Sequence, residues 1–273
     1  MPITILDDHA YSSYLAPLPD PGIEASHLAR VRFPGEDTPR RVYVKLYPEN
    51  ARGLVNEVTG HLLAEAAGLP VPTRSAVILV PKQAITDLPP WARRLRRRTL
   101  VGWCTEDMAA PSIKFHFALN PHAHELTFQK VVAELRDSTI TPAVIALDDW
   151  IANVDRNLGN LLRLRKGDYL LIDHGRIFGG PDWSAASLAD TASLRTNIVG
   201  ALLGAHARTP RYRLALAGLA RNSHATALGD VCAELLDWWS VLLEDADMEI
   251  AATFLDDRVR DDNICARYQV MQL

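Results

Sequence analysis

Cysteine is scarce in this 273-residue chain: Cys104, Cys232 and Cys265 are far apart and form no C-x-x-C pair. That argues against both a disulfide framework and a thiolate zinc site, and points to a reducing, cytoplasmic setting. No apolar run approaches the roughly 20 residues that a membrane-spanning helix needs. The longest candidate, Thr196–Ala207, reads as a buried helix. The opening segment, MPITILDDHAYSSY, lacks the basic stretch followed by an apolar stretch that marks a secretory signal, so a soluble chain without a membrane partner is expected. Positive charge is not in excess: 29 Lys and Arg stand against 33 Asp and Glu, a net charge of −4. Wrapping nucleic acid depends on neutralising phosphates, so direct nucleic-acid binding is not expected as the main activity. Internal repeats and low-complexity segments are missing as well.

What is present is an ordinary globular composition, 48% hydrophobic and 23% charged, on a chain long enough for two lobes. The first third predicts strands at Ile3–Leu6, Ser26–Phe33 and Arg41–Tyr47, separated by the turn-rich PLPDPG and PGEDTP. In Arg41–Tyr47 the period of two places Tyr43, Lys45 and Tyr47 on one face and Val42, Val44 and Leu46 on the other. Val55, Val58, Leu62 and Ala66 recur at helical spacing, and Gly68 closes that helix ahead of Pro70. Further strands are predicted at Ala76–Val80 and Thr99–Trp103, with the basic insertion TDLPPWARRLRRR between them. From about Thr127 helices dominate, with Phe128–Arg136 and Pro142–Val154 first and several more between Ser187 and Gln269. A strand pair at Asn160–Leu164 and Tyr169–Ile172 interrupts them, joined by the turn Lys166-Gly167-Asp168. The pattern predicts an α+β protein of two lobes: a β-rich lobe over residues 1–105 and a helical lobe over 106–273.

The stretch Asn153–Gly175, NVDRNLGNLLRLRKGDYLLIDHG, carries the chemistry. Asp155 is followed by Asn160 five positions later, then by the hairpin, then by Asp173 at the end of an apolar strand. Phosphoryl transfer needs a carboxylate where an acceptor hydroxyl presents its proton, and oxygen ligands to hold magnesium against the phosphates. Asp-x-x-x-x-Asn offers the first and a neutral ligand from one loop, and an Asp just beyond a strand offers a charged ligand. Either motif alone reads as ordinary turn chemistry. Their order and the intervening hairpin shift the balance towards a site.

With these residues the sequence resembles the HipA-like kinases, a protein-kinase-like fold related to the phosphoinositide-kinase branch. The family's Asp-Arg-His-x-x-Asn loop corresponds to Asp155-Arg156-Asn157-Leu158-Gly159-Asn160, and its metal loop to Ile172-Asp173-His174-Gly175. Val42-Tyr43-Val44-Lys45 is similar to the strand bearing the phosphate-binding lysine. Arg52–Glu57 followed by Gly68-Leu69-Pro70-Val71-Pro72 is similar to the helix carrying its glutamate partner. The resemblance implies a two-lobed kinase fold using ATP and Mg²⁺. It implies Lys45 on the phosphates, Glu57 fixing Lys45, Asp155 at the acceptor hydroxyl, and Asn160 and Asp173 on the metal. It also places Cys104-Thr105-Glu106 in a hinge whose backbone reads adenine. The acceptor it implies is a protein serine or threonine, with a separate antitoxin-like protein as a further partner. A small-molecule or lipid-headgroup kinase, or a nucleotide-binding pseudokinase scaffold, are the alternatives.

The sequence departs from the family in two places. Asn157 stands where the family has a histidine, and it cannot titrate near neutral pH. No G-x-G-x-x-G loop lies between the first two strands; the matching region, Pro19–Ser26, has one glycine, and Ser26 is the candidate for autophosphorylation there. Three other features take their simplest reading first. The run Arg93–Arg98 reads as a solvated insertion ahead of a partner-docking patch. His116, His122 and His124 read as loop histidines ahead of a metal site. Trp238 and Trp239 read as helix packing.

Overall fold

The computed structural model describes residues 3–18, 25–48, 51–118, 124–193 and 195–271. The chain divides into two compact units, one built from residues 1–54 and 72–109, the other from 55–71 and 110–273.

The first unit is a six-stranded sheet. Its strands are β1 (Thr4–Leu6), β2 (Tyr11–Pro17), β3 (Ala25–Val31), β4 (Arg40–Leu46), β5 (Ser75–Pro81) and β6 (Thr99–Glu106), in the spatial order β1-β5-β6-β4-β3-β2. All neighbours are antiparallel except β1 and β5. The period-two expectation holds for β4: Val42, Val44 and Leu46 are buried, while Tyr43 is exposed and Lys45 half-buried. The buried face joins Ala29, Val31, Ile78 and Val80 in one apolar core, against which Trp91 and Leu95 of the basic insertion also pack. At the other end of the strands Glu36 takes ion pairs from Arg40 and Arg74, and Arg74 also pairs with Glu106. Strand β2 was not anticipated, because YSSYLAP neither alternates cleanly nor avoids proline. Arg93 and Arg94 end a short helix, α2 (Pro90–Arg94), and the rest of the run is extended and largely exposed.

The second unit is helical. It holds α1 (Gly53–Ala66) from its third residue, then α3 (Ile113–Ala118), α4 (His124–Asp137) and α5 (Thr141–Trp150). The hairpin β7 (Leu161–Arg165) and β8 (Asp168–Leu171) follows, then α6 (Ala185–Leu188), α7 (Ile198–Leu202), α8 (Pro210–Leu242), α9 (Asp245–Val259) and α10 (Asp261–Tyr268). As expected, α1 ends before Gly68, whose φ of +74° is the left-handed conformation that a glycine adopts without strain. Helix α5 stops four residues short of the expected Val154, and Ala152 turns the chain with a φ of +51°. Around α5 the core is held by directed bonds as well as by apolar area. The Trp150 indole donates to the Leu255 carbonyl and stacks on His224, with ring centroids 4.5 Å apart. The buried Arg258 donates to the carbonyls of Trp150, Thr191 and Ser193. Trp238 and Trp239 are buried, and the Trp239 indole donates to the Thr59 hydroxyl of α1 at 2.8 Å, a packing role as expected. Among the described residues no helix is long and apolar enough to cross a membrane.

Candidate active site

Helix α5 delivers two adjacent acids, Asp148 and Asp149, into the interior, and the loop that follows turns back beside them. Backbone bonds then lay this loop against the segment after β8. The N–H of Phe178 donates to Ile151, that of Gly179 to Ala152, and that of Val154 to Arg176. Further along, the N–H of Ile172 donates to the Asn160 carbonyl at 3.1 Å, which brings Asn160 beside the residue preceding Asp173. Asp155, Asn160 and Asp173, read separately in the sequence, are therefore carried by two loops tied backbone to backbone.

Arg156 is the tie at the centre. Its guanidinium is fully buried and pairs with Asp148, with Nε and Nη2 both 3.2 Å from carboxylate oxygens. Nη1 donates to the Ile172 carbonyl at 2.6 Å, and Nη2 lies 3.0 Å from Nδ1 of His174. Burial pushes the Asp148 carboxyl upward and the adjacent guanidinium opposes it, as a desolvated pair requires. One side chain therefore joins the end of α5, the Asp155 loop and the Asp173 loop.

The loop geometry also orients the candidate ligands. The Asn160 side-chain amide donates to the Asp155 carbonyl at 2.7 Å, so its Oδ1 is the end left for other work. Asp173 holds a φ of +62°, a strained conformation for a residue with a side chain. The Asp155 carboxylate is partly exposed, with the Arg176 guanidinium 3.7 Å away. Asn157 accepts from the Gly159 N–H at 2.7 Å and donates to Asp155 Oδ1 at 3.3 Å, so it shapes the loop.

Helix α1 braces the same loop. Glu57 is buried and its Oε2 accepts the His174 backbone N–H at 2.8 Å. Its neighbour Asn56 donates to the carbonyl of Gly175 at 2.9 Å, with those of Gly180 and Ile177 at 3.3 and 3.4 Å, and accepts from the Trp183 indole at 3.0 Å. Gly60 passes so close that a side chain there would meet the Cβ of His174 at 2.4 Å. Sequence reasoning missed Asn56, Gly60, Asp148 and the tie made by Arg156. Polar residues and a glycine within otherwise apolar helical stretches were the available signal.

The remaining expected residues belong to the first unit. Lys45 lies on β4, opposite Ser26 of β3 and Trp103 of β6. Cys104 and Thr105, which the family resemblance assigns to a hinge just after the strand Thr99–Trp103, belong to the strand itself. They lie inside β6, registered with Val44 and Tyr43 on one side and with Ala76 and Ser75 on the other. The ladder claims their backbone groups, and burial pushes the Cys104 thiol up to about 12. The strand continues three residues past the expected Trp103 because β4 and β5 both extend far enough to pair with it. Residues 19–24 of the Pro19–Ser26 region, His122 and the side chain of His116 lie outside the described residues; His124 is exposed at the start of α4.

No curated protein matches the chain. A family model described as HipA-like kinase matches residues 35–189, a span that begins ahead of β4 and runs past the Asp155 and Asp173 loops. Because the match covers more than half of the sequence and contains both tied loops, the chain belongs to the HipA-like kinase family.

Proposed function

We propose that this kinase transfers the γ-phosphoryl group of ATP, with Mg²⁺, to a hydroxyl group, and that the acceptor is a protein serine or threonine. The observation that supports the reading is that the Asn160–Ile172 backbone bond and the Arg156 tie join the loops that bear Asp155, Asn160 and Asp173. Oxygen donors suit a hard divalent cation. Asn160, whose amide nitrogen is engaged by the Asp155 carbonyl, and the carboxylate of Asp173 supply such donors. When bound, the metal neutralises charge on the phosphates. Asp155, partly exposed and flanked by Arg176, would orient the acceptor hydroxyl and take up its proton. Lys45 is assigned to the phosphates by the family resemblance.

Calorimetric titration of Mg-ATP, paired with a phosphate-transfer assay on protein and metabolite acceptors, tests this reading. Asp173→Ala should abolish magnesium-dependent nucleotide binding. Asp155→Ala should keep binding and lose ~10²–10⁴-fold in transfer rate. Absence of binding at millimolar nucleotide would overturn the proposal. Binding without transfer to any acceptor would instead favour a nucleotide-binding scaffold.

A further inference from the structure

We propose that the second unit carries another ligand site, a pocket beside the β7–β8 hairpin that takes a small amphipathic anion: a carboxylate or phosphate group on an apolar body. The cavity measures about 750 Å³, within the range of ligand sites in general. Helices α3 and α4 and the turn end of the hairpin line it, the opposite end from Asn160 and Asp173.

Its chemistry is set by which charges are already satisfied. Glu134 on the wall accepts four bonds: two from Arg163 at 2.9 and 2.5 Å, one from the Gly167 N–H at 2.9 Å and one from the Tyr169 hydroxyl at 2.8 Å. These donors hold its carboxyl below the usual range against the upward push of burial. The Glu134–Arg163 pair is thereby neutral and offers a ligand neither net repulsion nor net attraction. Lys130, one helical turn before Glu134, and Lys166, at the hairpin turn, also line the cavity, and neither forms an ion pair among the described residues. Asp137 on the rim has Arg136 at 3.5 Å. Two lysines without an ion pair among the described residues thus line a cavity whose wall includes Ile113, Val131 and Ala133. An anionic head near the lysines with an apolar body against the wall satisfies both. The volume fits a compact molecule, and the Ser138 hydroxyl, donating to the Gly167 carbonyl at 2.7 Å, fixes the turn that carries Lys166.

The test uses anilinonaphthalene sulfonate, an aromatic anion that fluoresces in apolar surroundings, titrated into the full chain with and without saturating Mg-ATP. One saturable site is expected, insensitive to Mg-ATP. It should weaken about tenfold in Lys130→Glu/Lys166→Glu, whose exposed positions leave urea unfolding unchanged. Val131→Trp, which fills the cavity, should abolish it. Phenyl phosphate and benzoate should compete, the better competitor identifying the head group, and benzyl alcohol should not. Equal affinity in both variants, loss of the signal with Mg-ATP, competition by benzyl alcohol, or no saturable binding would each overturn the proposal.

Discussion

Asp149 is enclosed on all sides: its carboxylate accepts from Asn197 at 2.7 Å and from the Tyr268 hydroxyl at 3.1 Å. Burial pushes it up to about 6, although those two donors pull the other way. The folded state therefore holds this proton more tightly than the unfolded chain does. The resulting contribution to stability is fully present below about pH 4 and lost as pH rises through about 6, amounting to ~3 kcal/mol. Asp149→Asn stays neutral throughout, so its stability relative to wild type should climb by up to that amount between pH 4 and 7. A urea-denaturation series across that range checks it, and a pH-independent difference would refute it. The sequence offers Asp148-Asp149 as a pair of acids inside an apolar helix. Their partners lie 8, 48 and 119 positions away, at Arg156, Asn197 and Tyr268, which no local spacing reveals. Asp155, Asn160 and Asp173 were legible for the opposite reason: their spacing is local and the hairpin between them is short.

Among the elements, α1 couples structure to the candidate site most directly. Gly60 inverts a common rule. Glycine to alanine inside a helix ordinarily gains about 1 kcal/mol, yet here the new Cβ would collide with His174. Gly60→Ala should instead lose about 1–3 kcal/mol, with slower transfer because His174 adjoins Asp173. Denaturation midpoints give the sign directly. Asn56→Ala strands the Trp183 indole and the carbonyls that Asn56 serves, so it should cost about 1–3 kcal/mol. Hydrogen exchange should localise the loss to residues 174–183; uniform loss across the second unit would contradict it. The helix itself was plain in the sequence from its apolar spacing and Gly68. Its buried face was not, since residues 53–64 are enclosed nearly all round and amphipathic patterning is weak in such a helix. The strands were legible from alternation wherever one face is buried, and β2 was not for lack of it.

For the whole molecule, a division of the sequence near residue 105 does not coincide with the grouping of contacts, because residues 55–71 belong to the second unit. A fragment of residues 106–273 therefore lacks the partners of the His174 N–H, the Trp183 indole and the Trp239 indole, all of which α1 supplies. That fragment should show no cooperative urea transition, and a peptide of residues 53–71 added in trans should restore one. A sigmoidal transition of the fragment alone would show that α1 is dispensable. The shift from strand-rich to helix-rich sequence made two lobes legible. The ownership of α1 was not, because the bonds that decide it span 117 to 180 residues.

The same long reach has a consequence for biosynthesis. The helix is made early, while Gly175 and Gly180 follow Asn56 by 119 and 124 residues. At ordinary rates of roughly 5–20 residues per second, translation takes about 10 s to cover that distance. Throughout that interval Asn56 and Glu57 lack their partners at Gly175, Gly180 and His174, on a helix whose Val55, Val58, Leu62 and Leu63 are buried in the finished fold. The nascent chain thus carries a helix built for burial well before all of its partners have been synthesised, a natural client for chaperones that bind apolar segments.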